Sequence, residues 1–389
     1  MSTNQERQGK QLFKPVTLLG NGVRRNPYFA LKDRYEMPVL TTWMGADLIG
    51  EDNPSFCGRP GTFGQRAANV IQQKADAVFC FGARMDNEQV SYDYSRYAPR
   101  AVKYVYDIDP FELRKFPEDG TWKVTSDISK MMEWYAEAVE KADPRWMRWS
   151  KALYKAMRPE IEGKPGGISV DPFYFISVLS EACRAEDVLA IGSSAFAPNS
   201  FLQAFKVKFG QRITVCATFG AMGMDIPMAI GACHVANQNT ICVTGDGGFF
   251  LNMQELEVIR RERLPIKFFV YSNGGYGSIR AMQDLRFGRR VGCDADSGFT
   301  IPSLSKTADL FGIDYYMIPM LNEGDTLVEN IVKVNKPIIC EVMIDHSWVQ
   351  WPKVMSSMDA NGKMTPDAME DMTPHLSAER LKELMEWDG

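Results

Sequence analysis

The chain has 389 residues, 45% hydrophobic and 24% charged, enough for two domains with apolar cores. A net charge of −5 with no long basic run argues against a nucleic-acid partner. No stretch approaches ~18 consecutive apolar residues, which argues against a membrane helix. The polar segment Met1–Lys10 lacks the apolar centre of a signal peptide, so the expectation is a soluble cytoplasmic protein. Eight dispersed cysteines without a CxxC pair read as buried free thiols, and three histidines without clustering argue against a zinc site.

In chain order, the buried strands read from apolar runs are Pro15–Gly20, Met37–Trp43, Ala75–Gly82, Val102–Asp109, Asp187–Gly192, Ile241–Gly245, Ile266–Asn273 and Pro337–Ile344. They are rich in Val, Ile, Phe and Tyr and lack strict alternation, as parallel strands covered on both faces do. Helix-length segments lie between them. After Gly247, Leu251, Leu256 and Ile259 recur at helical spacing, and Arg145 to Lys155 reads as another helix. The fold class implied is α/β, with two doubly wound parallel-sheet domains. A Gly163–Gly167 stretch rich in Gly and Pro marks the junction. The division expected is a nucleotide-binding-like domain over 1–150, a linker over 151–169, a second domain over 170–345, and a tail over 346–389 packing on that second domain.

The segment that carries chemistry is Gly245-Asp246-Gly247-Gly248, directly after a strand. A second strand follows, ending in Ser272-Asn273-Gly274-Gly275-Tyr276-Gly277, with Asn273 27 positions after Asp246. Glycines at a strand end let backbone approach a ligand, and the N–H groups of a following helix can hold an anion such as diphosphate. A carboxylate beside that anion repels it unless a cation lies between them. Asp246 therefore points to Mg²⁺ or Ca²⁺, with the Asn273 amide oxygen and the Gly275 carbonyl completing the protein's ligands.

Gly245–Ile279 resembles the thiamine diphosphate (ThDP) enzymes, and within them the acetolactate synthase-like group. The resemblance runs over nearly the whole chain: residues 15–125 are similar to the group's middle domain, and 170–345 to its diphosphate-binding domain. It implies ThDP and Mg²⁺ as cofactors. Ser272 departs from the group, which has a first Asn there, while Asn273 keeps the metal-ligand position. Gly220-Ala221-Met222-Gly223 is similar to the turn whose methionine supports the bent cofactor, which makes Ala221 and Met222 cofactor-binding candidates. Ile279 stands for the apolar residue wedged between the cofactor rings. Ser193 and Ser194 occupy the diphosphate-contacting loop, where relatives often have Gln-His. Gly277 and Tyr276 complete the candidate set.

The resemblance also implies a catalytic glutamate on an N-terminal pyrimidine-binding domain. This sequence is already middle-domain-like by Val16, so the glutamate is expected from another polypeptide, through either a split gene or a truncated form. A separate pyrimidine-domain subunit and a heterotetramer follow. Glu255 lies in the helix after the GDG turn and is not read as a substitute.

The middle domain binds FAD in many relatives. Arg59, Arg84 and Asp107 are the candidates for FAD or another nucleotide here, against the alternative of an empty domain. Met282 replaces a Trp that shapes the acceptor pocket, so Ile279 and Met282 are the substrate-pocket candidates. Branched-chain amino acid synthesis is placed in doubt by that replacement. The leading expectation is a carboligase that decarboxylates a 2-oxo acid, pyruvate first, and transfers the acyl carbanion to a carbonyl acceptor. The alternatives are a 2-oxo acid decarboxylase without ligation and a non-catalytic ThDP- or nucleotide-binding regulatory subunit.

Overall fold

The computed structural model describes residues 14–25, 37–118, 120–126, 142–194, 196–216, 219–236, 239–358, 361–362 and 364–386. The chain forms two compact units, one of residues 1–158 with 351–389 and the other of residues 159–350. Among the described residues, no helix is long and apolar enough to cross a membrane.

The first unit is built on a five-stranded, all-parallel sheet in the order β2-β1-β3-β4-β5. Its strands are β1 (Pro15–Leu19), β2 (Val39–Thr41), β3 (Ala77–Phe81), β4 (Val102–Asp107) and β5 (Thr121–Thr125). Every residue of β1, β2 and β3 is buried, the pattern expected of parallel strands covered on both faces. Trp146 is fully buried, and its indole N–H donates to the carbonyl of Pro15 at 2.9 Å, tying the helix Pro144–Met157 to the first strand. That helix occupies the start of the segment expected as linker.

The second unit carries a six-stranded, all-parallel sheet in the order β10-β11-β9-β8-β6-β7. The strands are β6 (Val188–Ile191), β7 (Arg212–Val215), β8 (Thr240–Gly245), β9 (Ile266–Ser272), β10 (Asp314–Ile318) and β11 (Ile338–Met343). Both units are thus parallel-sheet α/β folds, as expected. The chain runs outward from β6 to β7, then returns to place β8 on the other side of β6. The strand order reverses there, which opens a crevice at the carboxyl ends of β6 and β8. Local signals start the helices that follow. Asp171, for instance, accepts N–H bonds from Phe173 and Tyr174 with Pro172 at the first helical position.

Two expectations are corrected. The segment after Gly247 is not one helix. A short helix, Asp246–Phe249, gives way to a 3₁₀ stretch kinked at Asn252 and then to the helix Leu256–Glu262. The Asn252 amide donates to the carbonyl of Gly223 at 2.7 Å, holding the kink, and Leu251 is left half exposed while Leu256 and Ile259 are buried. The tail is the second correction. From Trp351 onward it belongs to the first unit, not the second. Buried Arg66 donates to the carbonyls of Met372 and Pro374 at 2.8 and 2.7 Å, Lys74 donates to that of Met385, and Met369 and Leu384 join the first core. A hairpin of β12 (Ser356–Met358) and β13 (Met364–Pro366) lies within this tail.

Arg66→Ala would leave two carbonyls without their donor. We expect it to cost about 2–4 kcal/mol in urea unfolding and to expose the chain beyond residue 350 to limited proteolysis first.

Candidate functional site

The carboxyl ends of β6 and β9 each run into a turn followed by a helix, and β8 passes at Gly245 directly into the short helix Asp246–Phe249. Ser193, Ser194, Met222, Gly245, Asp246, Gly247, Asn273, Gly275, Tyr276, Gly277 and Ile279 line one cavity of about 400 Å³, together with Phe196, Ala197, Gly220, Tyr271 and Ser278. The structure therefore brings together residues the sequence named from four separate segments. The helices Phe196–Ala204 and Gly277–Phe287 both begin at this cavity. In their first turns the Ala197 N–H is taken by the Ser194 carbonyl, the Gly277 N–H by the Gly275 carbonyl, and Pro198 has none.

Asp246 organises the site. Its carboxylate is almost wholly buried, and Oδ1 accepts the N–H of Gly247 at 2.7 Å. Oδ2 accepts three more, from Asn273 at 3.1 Å, Gly274 at 2.9 Å and Gly275 at 3.2 Å. One side chain thus fastens the turn after β8 to the turn after β9. Burial pushes its pKa up to about 6, against the pull of the four amides that favour the charged form. Gly275 has φ +137°, and a Cβ there would sit 2.2 Å from the carbonyl of Cys293, so only glycine fits. The Gly275 carbonyl accepts the N–H of Gly277 at 3.0 Å and keeps a second lone pair.

Other predicted residues fall outside the lining. The Ala221 carbonyl accepts the Ser193 hydroxyl. Gly248 lies behind the cavity, where a Cβ would meet Ser194 Oγ at 2.3 Å. Met282 is half exposed on the helix Gly277–Phe287 and is not part of the lining. Tyr276 stacks on Phe299 with ring centroids 4.2 Å apart.

In the first unit, Arg84 and Asp107 stand at the carboxyl edge of β3 and β4. Arg59 lies in a different part of this unit's sequence, on the segment before the helix Arg66–Lys74. It is buried, 3.4 Å from Glu51 and over the ring of Phe56, in a cluster where Glu51 also takes Arg158 and the Tyr154 hydroxyl.

Sequence reasoning missed two residues. Asp225 is fully buried against the Ser193 loop. Its signal was an acidic residue opening a helix just before Ile226-Pro227. Buried Arg280 donates to the carbonyls of Asn273 at 3.3 Å and His346 at 2.5 Å, bracing the turn after β9. Only the fold places it there.

The cavity's chemistry is specific. Among the described residues its lining contains no Lys, Arg or His and one carboxylate. A polyanion entering this cavity would meet the Asp246 carboxylate, and a divalent cation between them would relieve the repulsion. Asp246, Asn273 and Gly275, all in the lining, carry the carboxylate, amide and carbonyl oxygens that a hard cation such as Mg²⁺ would take. Ser194 Oγ is buried without a hydrogen-bond partner among the described residues, a donor waiting for a ligand oxygen.

Known proteins match in two blocks. Residues 190–342 match the thiamine pyrophosphate enzyme C-terminal TPP binding domain, and residues 10–133 the thiamine pyrophosphate enzyme central domain. Relatives include the probable acetolactate synthase large subunit of Methanococcus aeolicus, 26% identical over 359 residues (86% of this chain, 58% of the relative). Acetolactate synthase isozyme 2 large subunit of Escherichia coli is 26% identical over 353 residues (88% and 62%). Acetolactate synthase 1, chloroplastic, of Zea mays is 27% identical over 332 residues (82% and 51%). The chain spans between half and two thirds of the length of these relatives.

The buried acid predicts a pH signature. Below about pH 6 the folded, metal-free chain holds a proton that the unfolded chain releases near pH 4, so this group's contribution to stability falls as pH rises through that window. The difference between wild type and Asp246→Asn in urea unfolding should shift by about 2–3 kcal/mol between pH 4 and pH 7 against wild type. Mg²⁺ at pH 7 should recover stability in wild type alone. A pH-independent difference would show that Asp246 is not held protonated by burial.

Proposed function

Because the chain belongs to the thiamine pyrophosphate enzymes, as their central domain followed by their C-terminal TPP-binding domain, we propose that the cavity of the second unit binds thiamine diphosphate and Mg²⁺ for an acetolactate synthase-like carboligation. The observation that carries this reading is the pairing of one buried carboxylate with a cavity free of basic side chains, which makes anion binding dependent on a divalent metal.

Asp246, Asn273 and Gly275 hold the metal. The turn Gly245–Gly248 and the start of the helix beginning at Gly277 receive the diphosphate, with the Ser194 hydroxyl donating to it. Met222, exposed at the cavity rim, and Ile279 bracket the ring system. When bound, thiamine diphosphate supplies the electron sink for decarboxylating a 2-oxo acid and carrying its acyl carbanion to a carbonyl acceptor. The protein contributes orientation, charge compensation and exclusion of water.

Among the described residues, the cavity lining holds no glutamate that could act as a base on the pyrimidine side of the cofactor. Its rim is apolar and exposed: Phe219 (88%), Met222 (43%) and Met224 (40%) lie on one loop, with Leu251 packed against Gly223 between them. Such a rim calls for a covering chain. We propose a separate pyrimidine-domain subunit as that chain, in a heterotetramer, bringing the catalytic glutamate.

The test is product analysis with pyruvate, with and without an aldehyde or ketone acceptor, for the chain alone and with a pyrimidine-domain partner. The expected outcome is no turnover alone and a ligated hydroxyketone with the partner. Free aldehyde as the sole product would replace ligation by simple decarboxylation, and robust turnover by the chain alone would remove the partner. Asp246→Ala should abolish Mg²⁺-dependent cofactor binding in calorimetry of the assembled protein. Unchanged affinity would remove the proposed site.

A further inference from the structure

Behind the cavity lies a second buried carboxylate that the proposed chemistry does not use. Asp225 opens the helix Asp225–Ala236 and is fully buried. Its Oδ1 accepts the N–H of Ser193 at 3.0 Å, and its Oδ2 accepts the hydroxyl of Thr244 at 2.7 Å. No cation lies within salt-bridge distance among the described residues, and burial raises its pKa. A lone buried carboxylate held by neutral donors costs stability that an apolar side chain of similar size would not.

The groups it fastens explain its presence. Ser193 belongs to the turn after β6, and Thr244 immediately precedes Gly245-Asp246. Three residues before Asp225 comes Met222, and the same loop is fastened again where the Ser193 hydroxyl donates to the Ala221 carbonyl. A Cβ placed on Gly248 would lie 2.7 Å from Asp225 Oδ2 and 2.3 Å from Ser194 Oγ, so both oxygens press on one face of that glycine. Ser194 Oγ, the neighbour of the clamped amide, is the buried donor left without a partner.

We infer that Asp225 is a positioning residue that fixes the turn after β6 against the end of β8, and thereby aims the Ser194 hydroxyl at the anionic end of the cofactor. The inference rests on the thiamine diphosphate reading of the cavity. Asp225 is absent from the lining and touches no ligand; it acts through Ser193 and Thr244.

The test is a double-mutant cycle on the full chain, with its partner, titrated with thiamine diphosphate and Mg²⁺ by calorimetry. Asp225→Ala should weaken binding about tenfold or more. Ser194→Ala should weaken it about tenfold in the wild-type background, but less than about twofold in Asp225→Ala, because an unaimed hydroxyl has little left to lose. Asp225→Asn should stay within about threefold of wild type, since its amide oxygen still accepts from Ser193 and the Thr244 hydroxyl can turn to accept.

In the ligand-free protein, hydrogen exchange of the Ser193 amide should quicken in Asp225→Ala and stay slow in Asp225→Asn. Should Asp225→Ala fail to fold, Thr244→Val removes one arm of the clamp, and a smaller non-additivity with Ser194→Ala is expected. Wild-type affinity in folded Asp225→Ala, or strictly additive losses, would reduce Asp225 to a structural role and overturn the inference. No binding by the wild-type protein would overturn the cofactor reading itself, and this inference with it.

Discussion

A carboxylate taken out of water must be met by donors or by a cation, and at Asp246 the fold supplies the donors from two turns that are distant in sequence. Four main-chain N–H groups converge on it, one from its own turn and three from the turn after β9. That convergence requires β8 and β9 to be neighbours in register, which the pairing of Thr240–Gly245 with Ile266–Tyr271 provides. It also requires a conformation at Gly275 that a side chain would forbid. The sheet order and the glycine turn both serve the burial of this one charge. Its elevated pKa measures how incompletely amides alone compensate it, and a divalent ion would remove the deficit.

All eight strands named from apolar runs are present, and the three missed in the two main sheets share a reason. β5, β7 and β10 are edge strands. Thr121–Thr125, Arg212–Val215 and Asp314–Ile318 each have partly exposed residues, so none gives the continuous apolar run that marks a strand covered on both faces. β2 is also an edge, but it is entirely buried and therefore was legible. The kink at Asn252 was hidden for a different reason: a single amide bonded to a carbonyl 29 positions away interrupts an acceptable helical period.

At the site, legibility followed chemistry. Asp246, Asn273 and their glycines were legible because two glycine-rich strand ends stand 27 positions apart and Gly245–Ile279 resembles the ThDP enzymes; a carboxylate among glycines alone would have read as an ordinary turn. Asp225 and Arg280 could not be read this way. Each looks like an ordinary charged residue of a helix, and its meaning comes from which backbone groups the fold sets beside it. Arg59 likewise reads in sequence as a cation suited to phosphate, and its burial beside Glu51 comes only from the fold.

The return of residues 351–389 to the first unit makes the second unit an inset, joined to its host at both ends. The cofactor half is thus an uninterrupted stretch of chain, whereas the other half exists only when distant stretches meet. A lesion near the carboxyl terminus would therefore strike the unit that does not hold the cavity. During synthesis the host cannot complete its packing until the whole inset has emerged. The order of assembly is thereby written into the connectivity: the inset that holds the cavity can mature before its host.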